Sequence, residues 1–303
     1  MILSVSTLTH CPLCRGSDLA RMPVPGNWVG DGFFSELHGQ LGLCRCRGCS
    51  LIFTNPRPGP DVLRDFYEHC YSYECHRAEP DGLTQNTARF LLSHCGPPSG
   101  GLLDMGCGAG FLVRAATELG WDAIGYDVSQ KAVRACLKQG LRATTSFADV
   151  GMVSVVVSNY ALEHVGDWEE FFRSIRSVLP PGGKAVLVTP NAYSLRARLA
   201  NFTRHWTKDE RYRAFPIHLS YFSRCTLARL LTTYGFRAEY IDTHTLALGA
   251  AFRSGDCKNM RPPRTNSSSV LLKPRRPVKD ACKRAVFGLG MGNGLLAVAK
   301  VEL

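Results

Sequence analysis

A chain of 303 residues with 45% apolar and 20% charged side chains can bury a full-sized core, and it fits a soluble globular protein with one main domain and one small one. A membrane-spanning helix is excluded: the best candidate, Ala285–Ala299, is broken by five glycines or asparagines and falls short of about 20 residues. The formal charge of +11 is unevenly placed along the chain. Met1–His10 lacks the basic start and long apolar stretch of a secretory leader, so a cytoplasmic protein is expected.

The N-terminal part carries Cys11-Pro12-Leu13-Cys14 and Cys46-Arg47-Gly48-Cys49, two C-x-x-C turns separated by 31 residues. Four thiolates on two such turns match the tetrahedral preference of zinc and leave no open position, which makes the site structural. Disulfides are the alternative, and an intracellular chain disfavours them. Cys44 competes with Cys46 as a ligand, but the spacing to Cys49 favours Cys46. The long interval between the turns leaves room for a hairpin containing Trp28, Phe33 and Phe34. Leu51–Pro58 follows the second turn, and a helix is predicted over Asp61–Tyr67. Tyr71 and Tyr73, in the segment entering the next domain, read either as a cover for a ligand or as packing aromatics.

The next predicted strand, Gly101–Asp104, runs into a glycine-rich turn at Gly106, Gly108 and Gly110, and Phe111–Leu119 then reads as an amphipathic helix. A second strand, Ala123–Tyr126, ends in Asp127, which lies 21 residues beyond Gly106, near the spacing at which an acid meets ribose hydroxyls. The turn is G-x-G-x-G rather than G-x-G-x-x-G, and Asp104 stands two residues before it. A carboxylate there repels a pyrophosphate but suits a cationic group, such as the amine of S-adenosylmethionine.

With these residues in place, the turn resembles motif I of the class I S-adenosylmethionine-dependent methyltransferases, and the likeness continues. Met152–Val157 reads as a buried strand, and Ser158–Val165, containing Leu162-Glu163-His164-Val165, is similar to the family's L-E-H-V segment. Trp168–Leu179 shows helical spacing, stopped by Pro180-Pro181-Gly182-Gly183, and Lys184–Thr189 reads as a strand closed by Pro190-Asn191. His218–Ser223 and the helix Thr226–Tyr234 resemble the family's H-L-x-Y-F-S block and the helix after it, and a last strand is expected near Gly294–Glu302. Alternating strands and helices argue for a doubly wound α/β sheet. The resemblance implies a Rossmann-like seven-stranded sheet with its last strand antiparallel. One departure is a short third strand between Leu141 and Met152, which leaves Phe147, Ala148 and Asp149 as candidates for the adenine side.

The resemblance also assigns roles. Asp104 is expected at the amino-acid end of the cofactor, with Gly106, Cys107 and Gly108 as the backbone approach. Asp127 and Val128 are expected at the ribose side, and Asn159 near the methionine chain. Among catalytic candidates His218 comes first, with His164 and Tyr221 beside it; either imidazole suits a general base, and a hydrogen-bonded packing role is the alternative for each. Glu163 reads as an orienting group for His164 or as a helix cap. The cysteine-rich leader resembles the zinc ribbon ahead of many bacterial small-molecule methyltransferases, including those acting on nucleotide sugars.

The expected organisation is a zinc ribbon over 1–60, a linker helix over 61–80 and a methyltransferase domain over 81–303. Within the last, 253–284 carries ten basic and two acidic residues, four prolines and a serine run, and reads as a flexible insertion. Such a basic loop suits phosphates on a nucleotide-linked or lipid-linked acceptor, an anionic membrane surface, or RNA. Methylation of a small-molecule acceptor, such as a sugar or glycolipid precursor, is the leading expectation. An RNA methyltransferase and a non-catalytic cofactor-binding protein are the alternatives.

Overall fold

The computed structural model describes residues 4–24, 32–70, 82–194, 215–244 and 292–302, with the side chains of residue 70 and of 82–86 left aside. Trp28, Tyr71, Tyr73 and the basic segment 253–284 lie outside the described residues.

The N-terminal strands are β1 (Val5–Ser6), β2 (Leu19–Met22), β3 (Leu43–Cys46), β4 (Ile52–Thr54) and β5 (Arg57–Pro58). β2, β3 and β4 pair antiparallel in sequence order, and Phe33 and Phe34 fall in a 3-10 turn, Gly32–Leu37, between β2 and β3. The linker is helical as α1 (Pro60–Asp65), but it continues into a π-helical turn, Phe66–Cys70, rather than ending at Tyr67. Pro60 at the first helical position costs α1 nothing, since the N–H it lacks would have had no partner within the helix.

The larger sheet contains β6 (Gly101–Met105), β7 (Asp122–Tyr126), β8 (Ala143–Thr144), β9 (Val155–Asn159), β10 (Lys184–Pro190), β12 (Phe236–His244) and β13 (Gly294–Val301). Their spatial order is β12-β13-β10-β9-β6-β7-β8, with β13 antiparallel to both its neighbours and the pairs from β10 to β8 parallel. This is the Rossmann-like seven-stranded sheet that the sequence leads one to expect, with the reversed strand inserted beside β10. The third strand is short, as expected: β8 pairs through only Ala143 and Thr144. β9 begins later than the apolar run suggests, because the Val153 N–H turns to the Val178 carbonyl and the exposed Met152 stays off the sheet.

Alternate residues of the central strands feed two cores, as the two-residue strand period requires. Leu103, Val156 and Leu187 face α5 (Trp168–Val178) and α6 (Arg224–Thr233), meeting Phe172, Ile175, Leu227 and Leu231. Leu102, Val155, Val157 and Val186 face α2 (Gly82–Ser93) and α3 (Phe111–Glu118), meeting Leu91, Leu112, Val113 and Ala116. Local signals fix the helix starts. The Asp167 side chain caps α5 at the Glu170 N–H, and Ser223 with Thr226 forms a reciprocal capping box on α6.

The two sheets are stitched together. A short strand from the larger half, β11 (Ser220–Tyr221), pairs antiparallel with β4, so the cysteine-bearing sheet has the order β11-β4-β3-β2. Cys11, Cys46, Leu51 and Phe53 pack in the same cluster as Phe222, Phe171 and Leu227.

Candidate functional site

The conserved geometry of an α/β sheet places ligands beyond the carboxyl ends of its parallel strands, and the candidate residues gather there. Asp104 lies near the end of β6, Asp127 just past β7 and Asn159 at the end of β9. Gly106 and Cys107 donate their N–H groups to the Tyr126 carbonyl at 2.8 and 3.0 Å, which folds the glycine turn over β7. Gly106 has φ of +84°, and a Cβ there would stand 2.6 Å from the Ala161 Cβ, so both its conformation and its neighbour demand glycine. Gly110, at φ +80°, is as confined, with a Cβ falling 2.8 Å from Cys136 Sγ.

Asp127 is tied at both oxygens. Oδ2 accepts from the Gly108 N–H at 2.9 Å and Oδ1 from the Ser129 N–H at 3.0 Å. Burial raises its pKa despite these two bonds. Asp104 is 3% exposed and has no hydrogen-bond donor among the described residues. Burial and the nearby Asp127 push its pKa up to about 8. Two buried carboxylates, one without a donor, form a site that a cationic ligand would neutralise, which is the fit required by the amine and sulfonium of S-adenosylmethionine. Cys107 points away from this site, toward Cys136, while Val128 is 63% exposed and offers an apolar face next to Asp127. The Asn159 Oδ1 is buried with no hydrogen-bond partner among the described residues. On the far side, Phe147 lies edge-on to Tyr126 at 5.1 Å, and Asp149 accepts from the Thr144 hydroxyl.

A second cluster follows β9. A 3-10 turn, Leu162–His164, brings Glu163 and His164 against His218, with the two imidazole centroids 4.7 Å apart and Tyr221 5.9 Å from His218. Glu163 Oε2 accepts from the Thr189 hydroxyl at 2.9 Å, and its backbone carbonyl accepts from Leu219 N–H at 2.8 Å. Burial pushes the Glu163 carboxyl up to about 8 and the His164 imidazole down to about 4; burial and the neighbouring His164 take His218 well below its ordinary value. Both rings are therefore neutral near pH 7.

One turn of π-helix joins the two clusters. The Tyr67 hydroxyl lies 2.8 Å from His164 Nδ1, while the next residue, Glu68, accepts from the Ser129 hydroxyl at 2.9 Å and pairs with Arg134 at 3.2 Å. Ser129 caps α4 (Gln130–Leu137), so Glu68 rests its charge at a helix N-terminus. Tyr67, Glu68, Ser129 and Thr189 escape sequence reading. Their partners lie 26 to 97 residues away, and nothing in the local pattern marks them.

The four cysteines converge as well. Cys11 Sγ stands 3.5 Å from Cys49 Sγ, and Cys14 Sγ 3.5 Å from Cys46 Sγ. A disulfide requires about 2.05 Å, whereas sulfurs about 2.3 Å from a central zinc stand roughly 3.8 Å apart. The turns are near copies: Arg15 N–H donates to Cys11 O and Ser50 N–H to Cys46 O, and both Arg15 and Ser50 have positive φ. Cys44 turns instead toward the Asn55 carbonyl.

Residues 75–241 match the family model described as a methyltransferase domain. Among curated proteins, the ubiquinone biosynthesis O-methyltransferase of Caulobacter sp. (strain K31) is 32% identical over 102 residues, covering 30% of this chain and 40% of that protein. The Brucella ovis enzyme of the same description is 33% identical over 119 residues, covering 34% and 48%. The match thus spans less than half the length of these relatives. Among solved structures, a SAM-dependent methyltransferase from Archaeoglobus fulgidus is 18% identical with a TM-score of 0.47, covering 80% of this chain and 100% of that one. Magnesium protoporphyrin IX methyltransferase from Synechocystis PCC 6803 with bound SAH is 15% identical, with the same TM-score and the same coverage. With more than half of its length matched by that model, this chain belongs to the methyltransferase domain family.

Proposed function

We propose that the protein methylates an oxygen of a small-molecule acceptor, held against Glu163, His164 and His218. The observation that carries this reading is the second cluster: three buried protonatable groups, joined through consecutive Tyr67 and Glu68 to the glycine-turn site. When bound, S-adenosylmethionine supplies a methyl group already activated by the sulfonium. The chain's own residues then have two tasks. Asp104 faces the donor's amine, Gly106 and Gly108 let the backbone approach, and Asp127, braced by Gly108 and Ser129, presents its remaining lone pairs to the ribose. Val128 offers the adenine an apolar face, with Phe147–Asp149 on the same side, and Asn159 stands near the methionine chain. On the acceptor side a hydroxyl must lose its proton, and we assign that proton to His218, whose Nε2 stands 3.9 Å from Glu163 Oε1; His164 and Tyr221 line its surroundings. The curated relatives are O-methyltransferases, which supports oxygen as the acceptor atom.

The N-terminal ribbon, in this reading, holds one structural zinc on Cys11, Cys14, Cys46 and Cys49. Because β11 completes its sheet, the ribbon sets the position of the segment that carries His218. Residues 1–60 and 61–80 then act as a scaffold and a strap for the catalytic domain over 81–303.

The test is incorporation of a labelled methyl group into a cell extract separated into RNA, lipid and small-molecule fractions. Label in a small-molecule or lipid fraction, stable as a methyl ether, is expected. Label confined to RNA, or donor binding without transfer to any fraction, overturns the reading.

A further inference from the structure

The Cys107 and Cys136 sulfurs stand 4.0 Å apart beneath the glycine turn, although 29 positions separate them along the chain. Cys107 is 7% exposed and Cys136 is fully enclosed. Two glycines make room for them: a Cβ at Gly125 would stand 2.6 Å from Cys107 Sγ, and one at Gly110 2.8 Å from Cys136 Sγ. The Cys136 thiol donates to the Gly108 carbonyl at 3.3 Å. Asp127 spans the same two segments. One of its oxygens accepts from Gly108, next to Cys107, and the other from Ser129, the cap of the helix that carries Cys136. The spacing of turn and helix is therefore set both by a carboxylate and by a pair of thiols.

We propose that Cys107 and Cys136 form a reversible regulatory disulfide that switches off uptake of the methyl donor. A disulfide requires about 2.05 Å between its sulfurs, so the pair must close by about 2 Å. The Cys107 N–H is pinned to the Tyr126 carbonyl, which leaves Gly108 and α4 to move. Closure also removes the thiol proton that Cys136 gives to the Gly108 carbonyl. Both changes disturb the Gly108 and Ser129 N–H groups that hold Asp127. The inference rests on the reading of Asp127 as the donor's ribose contact. By linkage, bound donor opposes the disulfide by the same factor.

Two electrons leave the sulfurs, and a hydroperoxide such as hydrogen peroxide takes them. The sulfur of Cys107, the more exposed of the two, attacks one peroxide oxygen. The O–O bond breaks, the departing hydroxide takes the thiol proton as water, and Cys107 becomes a sulfenic acid. The Cys136 sulfur then attacks the Cys107 sulfur. The S–S bond forms as the S–O bond breaks, and the leaving hydroxide takes the Cys136 proton as a second water. The hydrogen bond with Cys136, together with burial, holds the Cys107 thiol well above its ordinary range. The first step is therefore slow, but a dithiol that gains nothing from ionising gives a disulfide that resists reduction.

The test exposes the full-length, reduced, zinc-supplemented protein to hydrogen peroxide, blocks the remaining thiols with iodoacetamide and maps the peptides by mass spectrometry. A Cys107–Cys136 linkage is expected, forming several times more slowly under saturating S-adenosylhomocysteine. Calorimetric affinity for S-adenosylmethionine should fall by about tenfold or more as the linkage accumulates, and dithiothreitol should restore it. Cys136→Ser keeps a donor for the Gly108 carbonyl and should hold its affinity through the same exposure; Cys136→Ala takes its place if the serine variant does not fold. Absence of the linkage once the exposed Cys225 has been oxidised overturns the proposal. So does a rate untouched by S-adenosylhomocysteine, or a position 136 variant that loses affinity as the wild type does. Reduced wild type that takes up no S-adenosylmethionine overturns the donor assignment and this inference with it; uptake that the linkage leaves unaltered overturns this inference alone.

Discussion

The Thr54 hydroxyl donates a 2.7 Å hydrogen bond to the backbone carbonyl of His218, 164 residues further along the chain. Beside it, Thr54 N–H donates to the Leu219 carbonyl at 3.0 Å, and Leu219 N–H donates to the Glu163 carbonyl at 2.8 Å. The cysteine-bearing sheet therefore grips the segment that carries the acceptor-side histidine, and that segment grips the turn after β9.

Thr54→Val keeps the side-chain shape and leaves the His218 carbonyl short of one donor. Thermal or denaturant unfolding should show a loss of about 1 kcal/mol, and turnover should fall more than donor affinity. Equal losses in both, or none, would detach the ribbon from the chemistry.

Replacing Cys14 and Cys49 together by serine should release the thiolate-bound metal and disorder the β11–β4 pair. Hydrogen exchange at residues 218–222 should accelerate while exchange in β6 and β9 stays slow. Uniform exchange across the larger sheet would contradict this, and absence of zinc from the wild-type protein would remove the ribbon's metal altogether.

Asp127→Asn retains one acceptor for the Gly108 or Ser129 N–H but loses the charge and the freedom to accept at both oxygens. Donor affinity should drop by about tenfold to a hundredfold, the equivalent of about 1–3 kcal/mol, with the far-ultraviolet circular dichroism unchanged. Calorimetry that finds wild-type affinity would reject Asp127 as a ribose contact.

Asp104 gives a pH dependence of defined sign. Burial, with the nearby Asp127 charge second, raises its pKa to about 8 in the ligand-free protein, whereas an unfolded chain releases this proton near about 4. Between these values the native state binds more protons, so this group makes stability fall as pH rises through the window. A cationic donor prefers the charged carboxylate. Binding at pH 7 should therefore release a proton, and affinity should climb toward pH 8. Calorimetry in two buffers of different ionisation enthalpy reads the proton directly; Asp104→Asn should abolish its release, and a wild type that releases none would exclude a neutral Asp104 facing the amine.

Much of this protein was legible in the chain itself. The alternating apolar residues of β6, β9 and β10 and the breaks at Gly106–Gly110 and Pro180–Gly183 are short-range signals, because strand period, helix caps and turn conformations depend on neighbours within a few residues. The same locality made the two C-x-x-C turns and the Asp104 and Asp127 pair readable, each lying at a fixed distance from a recognisable bend. What packing alone decided is different in kind. The capture of Ser220–Tyr221 by the cysteine-bearing sheet, the Tyr67 and Glu68 bridge, and the approach of Glu163 to His218 join residues whose separation along the chain carries no code for their meeting. Burial then changed their chemistry: in water the Glu163 carboxyl and the His164 and His218 imidazoles would titrate at ordinary values, and enclosure in the fold shifts all three.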